Sequence, residues 1–100
     1  MLTGKQRATL RSLANDLDPI FQVGKGGISE EMCRQISNAL EARELIKLTV
    51  LENSGYTARE AAEAIAEACS AEVVSVPGRR FVLWRESETK KRENKKRIII

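Results

Sequence analysis

The sequence predicts a two-layer α/β sandwich with element order αβαβαββ and a mixed four-stranded sheet. Two segments carry helix capping boxes, and a third candidate helix begins with a capping serine. Short apolar segments lie between these helices, and a Pro-Gly pair joins the last two of them as a hairpin. With 100 residues, of which 42% are apolar and 31% charged, we expect one small folded domain.

The first helix begins at Thr3-Gly4-Lys5-Gln6, where the Thr hydroxyl and the Gln amide each satisfy a free backbone N–H group. Its apolar stripe recurs at helical spacing, at Leu10, Leu13, Ala14 and Leu17. Asp18-Pro19 ends the helix, because a residue before proline is disfavoured in helical conformation. Residues 20–23 then form a short strand.

Ser29 caps the second helix, whose first turn carries Glu30 and Glu31. Its predicted inner side consists of Met32, Ile36, Ala39, Leu40 and Arg43. The next strand, residues 45–51, alternates between two faces. One face carries Ile46, Leu48 and Val50, and the other carries Lys47 and Thr49.

A turn over residues 53–56 leads to the second capping box, Thr57 to Glu60, which opens an Ala-rich helix to about Cys69. The hairpin follows, with Pro77-Gly78 as the central pair of a type II turn. Since strand–helix–strand crossovers are right-handed, the second and third helices should cover the same face of the sheet. Polar residues predict that the other face is only partly covered: Gln22, Lys47, Thr49 and Ser75.

The charge distribution divides the chain into a domain over residues 1–86 and a basic, flexible tail over residues 87–100. Residues 1–84 hold ten basic and eleven acidic side chains, whereas residues 85–100 hold seven basic and three acidic ones. We find no apolar run of membrane-spanning length and no apolar signal segment after Met1, so we expect a cytoplasmic protein.

The residue types present argue against an enzyme. The chain has no His, which excludes Ser–His and Cys–His pairs. The two isolated residues Cys33 and Cys69 do not form a typical zinc motif and are expected to be buried small hydrophobes. We therefore expect no catalytic residues, no metal and no cofactor.

The segment Gly24-Lys25-Gly26-Gly27 is the candidate binding loop. It lacks the Gly-Lys-Ser/Thr ending of a nucleotide P-loop and does not match the GxGxxG fingerprint. It lies between a strand and a capped helix, where glycine lets backbone approach a ligand and the helix start favours negative charge. RNA-binding modules of the KH type use a GXXG loop in this way to clamp a nucleic-acid backbone.

Basic side chains near this loop predict a phosphate-binding edge, provided that the first helix and the hairpin flank it. The residues are Lys5, Arg7, Arg11, Lys25, Arg79 and Arg80. Arg7 and Arg11 lie one turn apart, while Lys5 falls on a different side of its helix. Neutralising about five phosphates would make log affinity fall with log salt at a slope of about −4. The chain has only four aromatic residues, which predicts recognition of backbone and shape with little base readout.

The chain resembles the CRM domain family (chloroplast RNA splicing and ribosome maturation), and in particular its stand-alone bacterial YhbY-type members. Four segments over residues 1–86 carry the resemblance: Leu2 to Arg7, Pro19 to Ile28, Ala42 to Lys47 and Gly78 to Arg85. The resemblance implies a fold related to the C-terminal domain of translation initiation factor 3. It also implies RNA binding, with ribosomal RNA in precursors of the large subunit as the partner. The family's Gly-x-x-Gly loop maps onto Gly24 to Gly27.

Two other hypotheses remain open from the residues alone. The first is a protein-interaction module that docks on a ribosomal protein or an assembly factor through the partly open sheet face. The second is a regulator that binds a small anionic ligand at the glycine loop.

Overall fold

The computed structural model describes residues 2–93, which contain four α-helices, four strands and one 3-10 turn. In chain order these are α1 (Gly4–Ala14), β1 (Phe21–Val23), α2 (Glu30–Arg43), β2 (Leu45–Val50), η1 (Glu52–Ser54), α3 (Ala58–Cys69), β3 (Glu72–Ser75), β4 (Arg80–Trp84) and α4 (Glu88–Arg92). The predicted order is confirmed, with η1 and the short α4 added to it. No helix among the described residues combines the length and the apolar character needed to cross a bilayer.

The four strands form one mixed sheet in the order β1-β2-β4-β3. β1 runs parallel to β2, with Val23 opposite Val50, and β4 runs antiparallel to both β2 and β3. An irregularity interrupts the β3–β4 pairing between Val73 and Ser75. The predicted mixed four-stranded sheet is confirmed.

The first face of the sheet carries the main core. Ile46, Leu48 and Val50 point toward α2 and α3 and are at most 1% exposed. Ile36 and Leu40 from α2 and Ile65 from α3 are fully buried against them. Both helices therefore cover the same face, as right-handed crossovers require.

The second face of the sheet is covered by α1 over part of its area. Leu10 and Ala14 from α1 pack with Leu45, Val74 and Val82 in a separate apolar cluster. The sheet and the α2/α3 layer form the predicted sandwich, and α1 adds a partial third layer to it. Because α1 ends at Ala14, the later stripe residue Leu17 is not part of this helix.

The two ends of the sheet differ in what they carry. The loop end carries the segment Gly24 to Gly27, the hairpin turn Pro77–Arg80 and the starts of α2 and α3. The tail end carries the start of β2, the start of β3 and the end of β4. There Trp84 of β4 lies between Leu45 of β2 and Glu72 of β3. α1 runs from the tail end toward the loop end, since the Leu2 N–H donates to Glu72 Oε1 at 3.1 Å.

The predicted helix starts are confirmed in detail. The hydroxyl groups of Thr3 and Thr57 each accept the third N–H of their helix at 3.1 Å, and both capping boxes are complete. The hairpin turn differs by one residue, because the Arg80 N–H donates to Pro77 O at 3.1 Å. Gly78 and Arg79 are therefore the central pair, and Gly78 has a φ of 65°. A hairpin turn with glycine at its first central position matches the right-handed twist of the two strands, which the predicted type II turn does not.

The segment predicted as a tail begins with a helix that packs on α2. Ser87 caps α4, and its N–H donates to the buried Glu44 Oε2 at 2.7 Å. The Thr89 N–H donates to Glu41 Oε2 at 2.6 Å. Residues 87–93 thus contact the domain at the tail end, while the basic residues 95–97 and the apolar end 98–100 lie outside the described residues.

Acid is expected to loosen α4 from α2 through Glu41. Hydrogen bonds from Thr89 lower the pKa of the Glu41 carboxyl below its ordinary value of 4.5, with smaller contributions from Ser87 and Arg85. A carboxyl whose pKa is lowered in the folded state stabilises that state above its unfolded pKa and loses this contribution as pH falls through the folded pKa. The Thr89 amide signal in an acid NMR titration should report this loss. Glu41→Gln should abolish the transition, and Glu63→Gln, at an exposed position of α3, should leave it in place. An unchanged titration in Glu41→Gln would contradict the assignment.

Candidate nucleic-acid interface

The glycine loop forms a tight turn at the loop end of the sheet. The Gly27 N–H donates to Gly24 O at 2.9 Å, which places Lys25 and Gly26 at the two central positions. Both central residues are exposed. Directly after the turn, the Ser29 hydroxyl accepts the Met32 N–H at 3.1 Å and starts α2. The turn therefore presents a cation beside the positive end of a helix.

Of the three glycines in this turn, Gly27 alone is required by its backbone conformation. Gly27 has a φ of 71°, a left-handed conformation that other residues rarely adopt. A Cβ on Gly24 would make ordinary contact with Leu51 Cδ1 at 3.5 Å. A Cβ on Gly26 would meet no atom of the described residues within 4 Å, and the φ of Gly26 is not positive. The fold of residues 2–93 therefore gives no reason for glycine at position 26.

Arg79 and Arg80 reach the same end of the sheet as the glycine loop. Arg80 lies opposite Thr49, and the Val50 N–H donates to Arg79 O at 2.7 Å. Only β2 separates β1 from β4, so the loop and the hairpin stand about 10 Å apart across the sheet. Arg79 pairs with Glu52 at 2.8 Å, but both side chains are exposed and such pairs contribute little.

The basic residues of α1 are not equivalent. Arg11 lies in the part of α1 near the loop end, beside Pro77. Arg7 is half-buried and donates to the carbonyl oxygens of Val73 and Val74, the latter at 3.3 Å. Lys5 is exposed but lies about 9 Å back along the helix axis from Arg11, toward the tail end.

The structure thus brings Lys25, Arg79, Arg80 and Arg11 toward one end of the domain. It places Lys5 outside this group and uses the Arg7 guanidinium to hold α1 on β3. The described part of the tail is also distant, since α4 packs at the far end of α2, about 21 Å from the glycine loop.

Sequence reasoning missed three exposed residues at the loop end of the sheet. Arg59 lies in the first turn of α3, which starts at the loop end. Leu51 and Tyr56 are 37% exposed and are the nearest side chains to Gly24 and Gly27. Topology was the available signal for Arg59, because a helix that follows β2 must begin at the same end as the glycine loop.

The cations at this site can neutralise an anion, and both cysteines lie away from it in the main core. Among residues 2–93 no group of three or more His, Cys, Asp or Glu side chains could hold a metal ion. Cys69 is buried and Cys33 is half-buried, and the Cys69 thiol donates to the Cys33 carbonyl oxygen at 3.4 Å. Burial raises the pKa of the Cys69 thiol, which keeps it in its unreactive form.

The sequence and the fold are both similar to those of known proteins. The sequence model of the CRS1 / YhbY (CRM) domain matches residues 2–85. The chain is 50% identical over 91 residues to the "Probable RNA-binding protein YqeI" of Bacillus subtilis, covering 91% of this chain and 95% of that protein. It is 36% identical over 90 residues to an "RNA-binding protein" of Haemophilus influenzae, covering 90% and 91% respectively. The fold is similar to the solution structure of the hypothetical protein SAV1595 from Staphylococcus aureus, with a TM-score of 0.71, 50% identity and coverage of 88% and 92%.

Proposed function

Because this chain belongs to the CRS1 / YhbY (CRM) domain family, we propose that it is a non-enzymatic protein that binds structured RNA at its loop end. Two relatives named as RNA-binding proteins, covered over nearly their whole length, support this proposal. The observation that carries it is the open space beside Gly26, next to the exposed Lys25 and the start of α2. A phosphodiester backbone can approach the peptide chain there as closely as hydrogen bonding requires.

The proposed contact is made by the glycine loop together with Lys25, Arg79, Arg80 and Arg11. The backbone of the turn would hold one phosphate, and the four cations would neutralise that phosphate and its neighbours. The sequence also predicts Lys5 and Arg7 as binding residues, but we expect them to contribute less to RNA binding because of their positions in the structure. Contacts of this kind fix shape and register and carry little information about base identity.

Ribosomal RNA in precursors of the large subunit is the partner we propose, acting in the cytoplasm. The resemblance to stand-alone bacterial CRM domains supports this choice. Crosslinking in cells, followed by mapping of the crosslinked RNA positions, tests it. Crosslinks concentrated in large-subunit RNA are expected, and crosslinks spread in proportion to RNA abundance would contradict the choice.

The salt dependence of RNA affinity tests the proposed contact in vitro. Four neutralised phosphates give a slope of about −3 in a plot of log affinity against log salt, since each contributes about −0.7 to −0.9. Filter binding with a structured RNA fragment over a range of salt concentrations measures this slope. A slope near zero would exclude a phosphate contact as the basis of binding.

Gly26→Ala is expected to weaken RNA binding at least tenfold, or by about 1.4 kcal/mol, while leaving the fold intact. The added methyl group occupies the space through which the RNA backbone would approach, yet it meets no protein atom of the described residues. Affinity measurements combined with thermal unfolding separate the two effects.

Two other glycines provide controls for this variant. Gly27→Ala forces alanine into a left-handed conformation and should cost about 1–2 kcal/mol of stability. Gly4→Ala, in the first turn of α1, should change neither affinity nor stability by much. Wild-type affinity in a stably folded Gly26→Ala protein would refute close backbone approach at this position.

A further inference from the structure

A cavity of about 290 Å³ opens on the second face of the sheet, between the end of α1 and the β3–β4 hairpin. Its floor is apolar and its walls carry two cations, a hydroxyl and an amide. The lining residues are Arg11, Ala14, Asn15, Lys47, Ser75, Val76, Pro77 and Val82. No carboxylate lines this space among residues 2–93.

Lys47 is the unusual member of this lining. It lies in the middle of β2 and is only 9% exposed, although the sequence pattern placed it on the more polar face. Within the described part of the chain its ammonium group forms no ion pair. Lys47 Nζ is not among the buried, unpartnered side-chain atoms of residues 2–93, so its aliphatic stem is covered while its ammonium group stays accessible at the cavity.

Arg11 reinforces the positive charge of the cavity. Its side chain lines the same space from α1, and it too forms no ion pair within residues 2–93. The Ser75 hydroxyl and the Asn15 amide can donate hydrogen bonds to the same ligand. Two cations and two neutral donors around an apolar floor fit a phosphate group attached to a sugar.

We propose that this cavity is a second phosphate-binding site, in which Lys47 and Arg11 hold a phosphate group of the bound RNA. The proposal rests on the RNA-binding function proposed above and adds a specific site to it. Pro77, which lines the cavity, belongs to the same hairpin turn as Arg79 and Arg80 at the loop end. An RNA chain held at the glycine loop can therefore continue past the hairpin and onto the second face of the sheet.

Lys47→Met is expected to reduce RNA affinity about tenfold and to make the salt slope shallower by about 0.7 to 0.9, the contribution of one phosphate. Methionine fills nearly the same space without charge, so Tm should stay unchanged or rise. A loss of affinity together with a retained or raised Tm distinguishes a ligand-binding role from a structural one. Arg43→Met, at an exposed site on the last turn of α2, is the matched control and should leave the slope unchanged.

Inorganic phosphate provides a second readout that does not depend on RNA. The amide signals of Ser75 and Val82 should shift when phosphate is titrated into the wild-type protein at constant ionic strength, and should not shift in Lys47→Met.

The outcomes separate the cavity proposal from the proposed function. If Gly26→Ala weakens RNA binding and Lys47→Met does not, the cavity proposal is overturned while RNA binding stands. If the wild type shows no salt-dependent RNA binding, the proposed function fails, and a phosphate response that requires Lys47 would then assign the cavity to a free phosphate compound. Absence of any phosphate response in that case overturns the cavity proposal as well.

Discussion

Arg85→Met is expected to lower the free energy of unfolding by about 3 kcal/mol, because the guanidinium joins three elements at the tail end. One of its nitrogens donates to Ser37 Oγ at 2.9 Å and to Cys69 O at 2.8 Å. The other donates to Ser37 O at 2.8 Å and lies 3.4 Å from Glu41 Oε1. The side chain is only 21% exposed, so water replaces these bonds poorly when the guanidinium is removed.

The effect should appear in thermal unfolding as a fall in Tm of roughly 12 °C or more for a domain of this size. Arg34→Met is the matched control, because its ion pair with Glu31 is exposed and should contribute at most about 1 kcal/mol. Arg85→Lys should recover only part of the loss, since an ammonium group cannot reproduce the planar arrangement of donors. Equal stabilities of Arg85→Met and Arg34→Met would show that the tail-end contacts of Arg85 are dispensable.

Arg85→Met also tests the division of the domain into two ends. Below its lowered Tm, the variant should bind RNA with wild-type affinity, because Arg85 lies at the end opposite the glycine loop. Arg85 would then have a structural role, since it supports the packing of α2, α3 and β4.

Local patterns predicted the parts of the fold that depend on nearby residues. The capping hydroxyls at Thr3, Ser29 and Thr57 act over three residues, so their sequence signal was sufficient. The alternation along β2 likewise assigned Ile46 and Lys47 to opposite faces before any partner strand was known.

Features that depend on long-range contacts could not be read from the sequence. Arg7 and Arg11 lie one turn apart and look equivalent, but only Arg7 reaches the carbonyl groups of β3. That difference depends on where α1 lies on the second face, which periodicity alone does not fix. Lys47 is a second example. The alternation along β2 predicted that it lies on a polar face, but the covering of its side chain depends on α1 and the hairpin, which are distant in sequence.

Simultaneous Lys25→Glu and Arg80→Glu substitutions are expected to weaken RNA binding about 100-fold, or by about 2.7 kcal/mol. Both side chains are exposed at the loop end, so reversing them replaces two attractions by two repulsions at the proposed phosphate contacts. The salt slope should fall to about half its wild-type value. Circular dichroism and Tm should stay close to those of the wild type, because neither side chain is buried.

The decisive comparison is with Arg43→Glu and Arg92→Glu, which change the net charge by the same amount. Arg43 ends α2 and Arg92 ends α4, so both lie toward the tail end. If RNA is attracted only by the overall charge, the two double variants should lose affinity equally. If the loop end is the binding site, the tail-end variant should lose only a few-fold. If both double variants bind precursors of the large ribosomal subunit as well as the wild type does, docking on a protein partner is favoured instead. The position of the charge, rather than its total, is therefore what this pair of variants measures.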